Sequence, residues 1–161
     1  MEYYEISIYN VDAYLSSLSL FSMEKADIVI VSKKEKTMIL YKDKQDIGTY
    51  PVVFGANNLS GHKQQEGDKR TPEGFYTLDY KKQDSAFHKA IHISYPNAKD
   101  IETAHKLGVS PGSAIMIHGQ KNGFGWASFI MQFFNWTNGC ISDMDLIWNA
   151  IDAGTPIEIR P

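Results

Sequence analysis

Asp27-Ile28-Val29-Ile30-Val31-Ser32, a four-residue charged link from Lys33 to Lys36, and Thr37-Met38-Ile39-Leu40-Tyr41 together decide the fold class. Both runs are rich in β-branched and aromatic side chains and each is too short for a helix. The polar link between them predicts a β-hairpin. Working outward, Ile47 to Phe54 is a third extended run; it contains Pro51, which cannot donate to a ladder and so marks an edge strand or a bulge. Gly55 to Pro72 is polar and glycine-bearing, and long enough to be a functional loop.

Further strands are expected over Gly74-Phe75-Tyr76-Thr77-Leu78, over Ala90 to Tyr95, and over Ala114-Ile115-Met116-Ile117-His118 after the turn Ser110-Pro111-Gly112-Ser113. In the last of these, alternation puts Ile115 and Ile117 on one face and Met116 and His118 on the other. Asn97 to Leu107 predicts a helix ended by Gly108. Met144, Ile147, Trp148 and Ile151 recur at helical spacing, with Ser142 or Asp143 as N-cap. Gly154 closes that helix, and Pro156 to Arg160 forms a final strand with Ile157 and Ile159 inward. The fold class is therefore mainly β with two or three short helices. Residues 1–25, Tyr/Ser-rich and weakly patterned, are expected to be an appended segment with a short helix, and residues 26–161 the main domain.

The 161 residues carry a net charge of −3 and a single cysteine. The charge provides no footprint for nucleic acid, and one thiol excludes a disulfide framework. No apolar run is long enough to span a membrane. No signal peptide is visible at the start, since Met1 to Glu5 lacks a basic region and no cleavage pattern follows.

Cys140 is either a small buried hydrophobe or a reactive thiol. It precedes the last expected helix within Thr137-Asn138-Gly139-Cys140-Ile141-Ser142. Unpaired amides at a helix start favour thiolate over thiol, and Gly139 permits a tight turn whose amides could converge on an oxyanion. The polar Thr-Asn-Gly context weighs against a core cysteine. His118, at a strand end before Gly119, is the natural base for it. No acidic residue lies close to His118 in sequence, so a backbone carbonyl, that of Gly119, is the candidate to orient the imidazole. His88 and His92 are four apart, but they fall in a strand pattern and no third ligand is at hand, so no metal site is expected. His62, His105 and the mixed-charge stretch Lys63 to Arg70 read as solvated.

These residues carry a resemblance. Ile117-His118-Gly119 followed by Thr137-Asn138-Gly139-Cys140-Ile141 resembles the signature of the L,D-transpeptidase (YkuD-type) catalytic domain. Gly123-Phe124-Gly125-Trp126 and Asn135-Trp136-Thr137 are similar to a subgroup with a long spacer between histidine and cysteine. Gly67-Asp68-Lys69-Arg70-Thr71-Pro72-Glu73-Gly74-Phe75-Tyr76 resembles the family's Gly-Asp-x-x-Thr-Pro segment, and His92-Ile93-Ser94-Tyr95-Pro96-Asn97 resembles another run of that subgroup. The chain departs from the pattern at Ser142, where many members have Arg or Asn, and at Asn138, often His. It also has fewer residues between the cysteine and the final helix, which implies a shortened rim beside Cys140.

The resemblance implies a mixed-strand β-sandwich acting on peptidoglycan stem peptides. Cys140 would attack the carbonyl of the third stem residue, usually a diamino acid, and expel the D-amino acid in fourth position. His118 would serve as base and then acid, oriented by the carbonyl of Gly119, with the amides of Asn138, Gly139 and Cys140 as oxyanion hole. His92, Tyr95, Trp126 and Thr137 would contact substrate. The acyl-enzyme would pass to an amine acceptor, or to water in a carboxypeptidase or endopeptidase; a non-catalytic peptidoglycan-binding domain is the remaining alternative. No cofactor is implied, and the substrate implies the cell envelope or periplasm.

Overall fold

A computed structural model describes residues 24–85, 88–119 and 144–161. Strands β1 (Ile28–Ser32) and β2 (Thr37–Lys42) form the expected hairpin, pairing Ile28 with Tyr41 through Ser32 with Thr37. Alternation decides the faces. Val29, Val31, Met38 and Leu40 are buried, while Ile30 and Ile39 are half-buried on the other side. β3 (Gln45–Pro51) is an edge strand, and its register with β2 shifts between Leu40 and Tyr41. Pro51 ends it, at a position where a missing N–H is tolerated.

β4 (Gly74–Ser85) runs past the expected end at Leu78, because β5 (His88–Ile93) pairs antiparallel with its second half. β6 (Met116–His118) is shorter than expected. Ala114 adopts φ of 58°, in the left-handed region, so the extended conformation begins after it. β7 (Thr155–Arg160) lies between β1 and β4, parallel to β1 and antiparallel to β4, and buries Ile157 and Ile159 as alternation predicts.

Among the described residues the strands make one mixed sheet of order β3-β2-β1-β7-β4-β5-β6. The sheet curls on itself: Met38 and Val52 near one edge line the same cavity of about 60 Å³ as Ile117 near the other. This opposition of inner faces is the expected β-sandwich.

Two α-helices complete the described fold. α1 (Ala98–Lys106) begins at Asn97, whose side chain accepts from the amides of Lys99 and Asp100, while Asp100 accepts from the Asn97 amide, a reciprocal capping box. It ends in a Schellman motif. The amide of Gly108 (φ 68°) donates to the His105 carbonyl and that of Val109 to the Ala104 carbonyl. α2 (Met144–Ala150) buries Met144 and Ile147 against the sheet, and Ile151 just beyond it is also fully buried.

Candidate active site

His118 closes β6, with β5 beside it. Antiparallel pairing sets Ala90 opposite His118, Ile91 opposite Ile117 and His92 opposite Met116. Ile91 and Ile117 enter the core, so Ala90, His92, Met116 and His118 share the other face. The next residue is pinned to the same strand, because the Gly119 amide donates to the Lys89 carbonyl at 3.2 Å. Its own carbonyl is thereby held where His118 Nδ1 donates to it at 2.8 Å.

A carbonyl oxygen only accepts, so Nδ1 carries the proton and Nε2 of the neutral ring is the basic nitrogen. Burial pushes the His118 pKa below its ordinary value, and the bond to Gly119 opposes this only in part. His118 is 6% exposed. The arrangement is that of a neutral base whose tautomer is set by main chain.

α2 is fastened to β4 and β5 by two lysines. Lys81 Nζ donates to the carbonyls of Trp148 and Ile151, at the helix end where uncompensated carbonyls gather. Its ammonium lies 4.4 Å from the centre of the Trp148 ring, with Lys89 at 5.5 Å. Lys89 also pairs with Asp145 in the first turn at 2.7 Å. Nothing in the local sequence marks either lysine, since the partners lie more than 50 residues away.

The polar segment before β4 is an ordered scaffold, contrary to the expectation of a solvated stretch. Lys63 is buried and pairs with Asp68 at 2.8 Å. Asp68 also accepts from the amides of Gln64, Gln65 and Arg70. Burial alone would raise its pKa, but Lys63 and the three amides outweigh that and bring it to about 2. His62 is likewise engaged: its Nδ1 accepts from the Glu73 amide at 2.9 Å and its Nε2 meets Asp100 at 3.0 Å. Asp100 in turn accepts from the Tyr76 hydroxyl, tying this segment to α1. Lys33 is buried too, donating to the Gly61 and Thr71 carbonyls and to Glu73 at 2.6 Å.

Of the other candidate residues, His92 sits beside His118 on the outer face, half-buried, with Nδ1 2.7 Å from Asp79 Oδ1. Tyr95 is buried, donates its hydroxyl to the Pro111 carbonyl and packs edge-on against Tyr76. The geometry gives Tyr95 a packing role. Cys140, Asn138, Gly139, Thr137 and Trp126, and the N-cap candidates Ser142 and Asp143, lie outside the described residues. Among the described residues, no three His, Cys, Asp or Glu side chains are placed to hold a metal ion. No helix among them is long and apolar enough to cross a membrane.

Residues 26–159 match the L,D-transpeptidase catalytic domain, YkuD. The chain belongs to this family. The chain is 36% identical over 95 residues to YafK of Escherichia coli strain K12, itself provisionally named an L,D-transpeptidase; that alignment covers 55% of this chain and 36% of YafK. Among solved structures it is similar to the helical cell shape determining protein Pgp2 from Campylobacter jejuni, with 25% identity and a TM-score of 0.57 over 82% of this chain and 46% of Pgp2. An L,D-transpeptidase from Mycobacterium tuberculosis shares the fold at 18% identity, with a TM-score of 0.52 over 83% of this chain and 57% of the other. The chain therefore spans about a third to a little over half the length of these relatives. The family match and the mostly β, curled mixed sheet accord with the resemblance carried by the His118 and Cys140 motifs.

Proposed function

We propose that this domain is a cysteine acyltransferase acting on peptidoglycan stem peptides in the cell envelope. The observation that carries the reading is the Nδ1–H bond from buried His118 to the Gly119 carbonyl, which leaves Nε2 as the proton acceptor a thiol needs. In the proposed reaction Nε2 takes the Cys140 proton and Sγ attacks the carbonyl between the third and fourth stem residues. The resulting oxyanion is held by the amides of Asn138, Gly139 and Cys140. As the tetrahedral species collapses, His118 returns its proton to the leaving amine of the fourth residue, and a thioester to the third residue remains. An amine acceptor, deprotonated by His118, then forms the new amide and frees the thiol. Trp126 and Thr137 are proposed to line the substrate path. Membership of the family supports this chemistry, as does a relative named for determining helical cell shape, which fits a wall substrate.

The test is to incubate the chain with purified muropeptides bearing tetrapeptide stems and to follow products by mass spectrometry. A new crosslink or an exchanged D-amino acid is expected. Loss of the fourth residue with water added would instead make it a carboxypeptidase using the same acyl-enzyme. No product, or equal product from Cys140→Ala, overturns the enzymatic reading.

A further inference from the structure

The Leu78-to-Lys81 stretch of β4 carries one residue more than the strand it pairs with. Leu78 lies opposite Ile93 and Lys81 opposite Ile91, so Asp79 and Tyr80 together face the single residue His92. A bulge of this kind re-aims side chains that regular alternation would send to opposite faces. Both converge on His92: Asp79 Oδ1 is 2.7 Å from His92 Nδ1, and the Tyr80 ring stacks on the imidazole at 4.5 Å and 14°. His92 and His118 are diagonal neighbours on one face of the β5–β6 pair, a relationship that typically spans about 7–8 Å. The cluster is thus next to the proposed base without touching it.

We propose that Asp79, Tyr80 and His92 form a subsite for a primary ammonium group on the peptide substrate; this rests on the function proposed above. Three features favour that ligand. His92 Nδ1 donates to the Asp79 carboxylate, which leaves Nε2 as the ring atom turned to a ligand, an acceptor in the neutral tautomer. Neither that nitrogen nor Asp79 Oδ2 has a hydrogen-bond partner among the described residues. The half-exposed Tyr80 ring adds an aromatic surface that attracts cations. Two acceptors, one of them charged, beside an aromatic ring suit –NH3+ and repel a carboxylate. Lys82 lies opposite Ala90, in the row that contains His118 and one row along from His92.

The test uses the full chain as Cys140→Ala, which cannot turn over, titrated by calorimetry. The probes are a tetrapeptide stem with a free side-chain amine at its third residue and the same peptide with that amine acetylated. A second pair, free and acetylated amine acceptor peptides, identifies whether the ammonium comes from donor or acceptor. We expect the free amine of one pair to bind at least fivefold tighter than its acetylated form. Asp79→Asn and His92→Ala should each abolish that preference, and Lys82→Ala should retain it. With Cys140 present, His92→Ala should raise KM for the amine-bearing peptide and leave kcat within about twofold. Equal binding of free and acetylated forms in both pairs overturns the proposal. So does a preference that survives both variants, or a uniform weakening of all peptides, which marks a purely structural bulge. A retained ammonium preference without any turnover by the Cys140 chain would remove the acyl-transfer reading and keep the subsite.

Discussion

The imidazole of His118 donates from Nδ1 to the main-chain carbonyl of Gly119 at 2.8 Å, and the Gly119 amide is in turn bound to the Lys89 carbonyl. The residue after His118 thus sets the tautomer of the ring through a main-chain carbonyl. His118→Gln removes the proposed base and retains a polar side chain of similar reach. Turnover of stem peptides is expected to fall by about 10²–10⁴-fold, with near-native circular dichroism.

Burial holds the folded-state pKa of His118 below its ordinary 6.5. The unfolded chain therefore binds more protons than the folded one between those values, and stability rises with pH across that window. The His118 contribution is complete above about pH 6.5 and is lost as pH falls through the lowered folded value. Urea midpoints measured from pH 7 downward should show this slope in the parent chain and a flatter one in His118→Gln.

Asp68 is the hub of the segment before β4. Its carboxyl sits at about 2, against 3.8 in the unfolded chain, which corresponds to about 2 kcal/mol of stability at neutral pH. Here too the folded value is depressed, so this stability is present above pH 3.8 and disappears as pH falls through about 2. Asp68→Asn should cost about 2 kcal/mol at pH 7 and lose the acid-dependent slope in that window, read by thermal melts in matched buffers.

Lys33 is 1% exposed and its carboxylate partner is Glu73. Glu73→Ala leaves a buried ammonium with only the Gly61 and Thr71 carbonyls as partners, and should destabilise by about 3 kcal/mol. The double variant Lys33→Met/Glu73→Ala should recover part of that loss. A double-mutant cycle by denaturant unfolding measures it; strict additivity would show that the pair is not coupled.

Lys81 joins β4 to the carboxyl end of α2 through two carbonyls and the Trp148 ring. Lys81→Met keeps most of the apolar stem and removes the donor. A loss of about 2 kcal/mol is expected, with amide exchange accelerating first in α2. Uniform acceleration across the sheet would argue against a local cap.

Most elements were legible in the chain itself because their causes are local. Two short β-rich runs joined by the charged link Lys33 to Lys36 assign the hairpin, while its buried face, Val29, Val31, Met38 and Leu40, emerges only in the folded sheet. Asn97 with Asp100 three residues on, and Gly108 after the helix, bracket α1. The His118 and Cys140 motifs and the Gly67–Tyr76 run point to the family that the match over residues 26–159 bears out. The bond from His118 Nδ1 to the Gly119 carbonyl is local as well, since it needs only the adjacent residue.

What tertiary structure alone decided involves partners far apart in sequence. Lys33, Lys63 and His62 read as ordinary polar surface because burial and ion pairing depend on which distant segment folds over them. The extension of β4 to Ser85 depends on its pairing with β5, and the bulge that turns both Asp79 and Tyr80 toward His92 exists only in the register of those two strands. Periodicity reports the face a residue takes in a regular strand. It carries no record of an extra residue, which becomes defined only when a second strand sets the register.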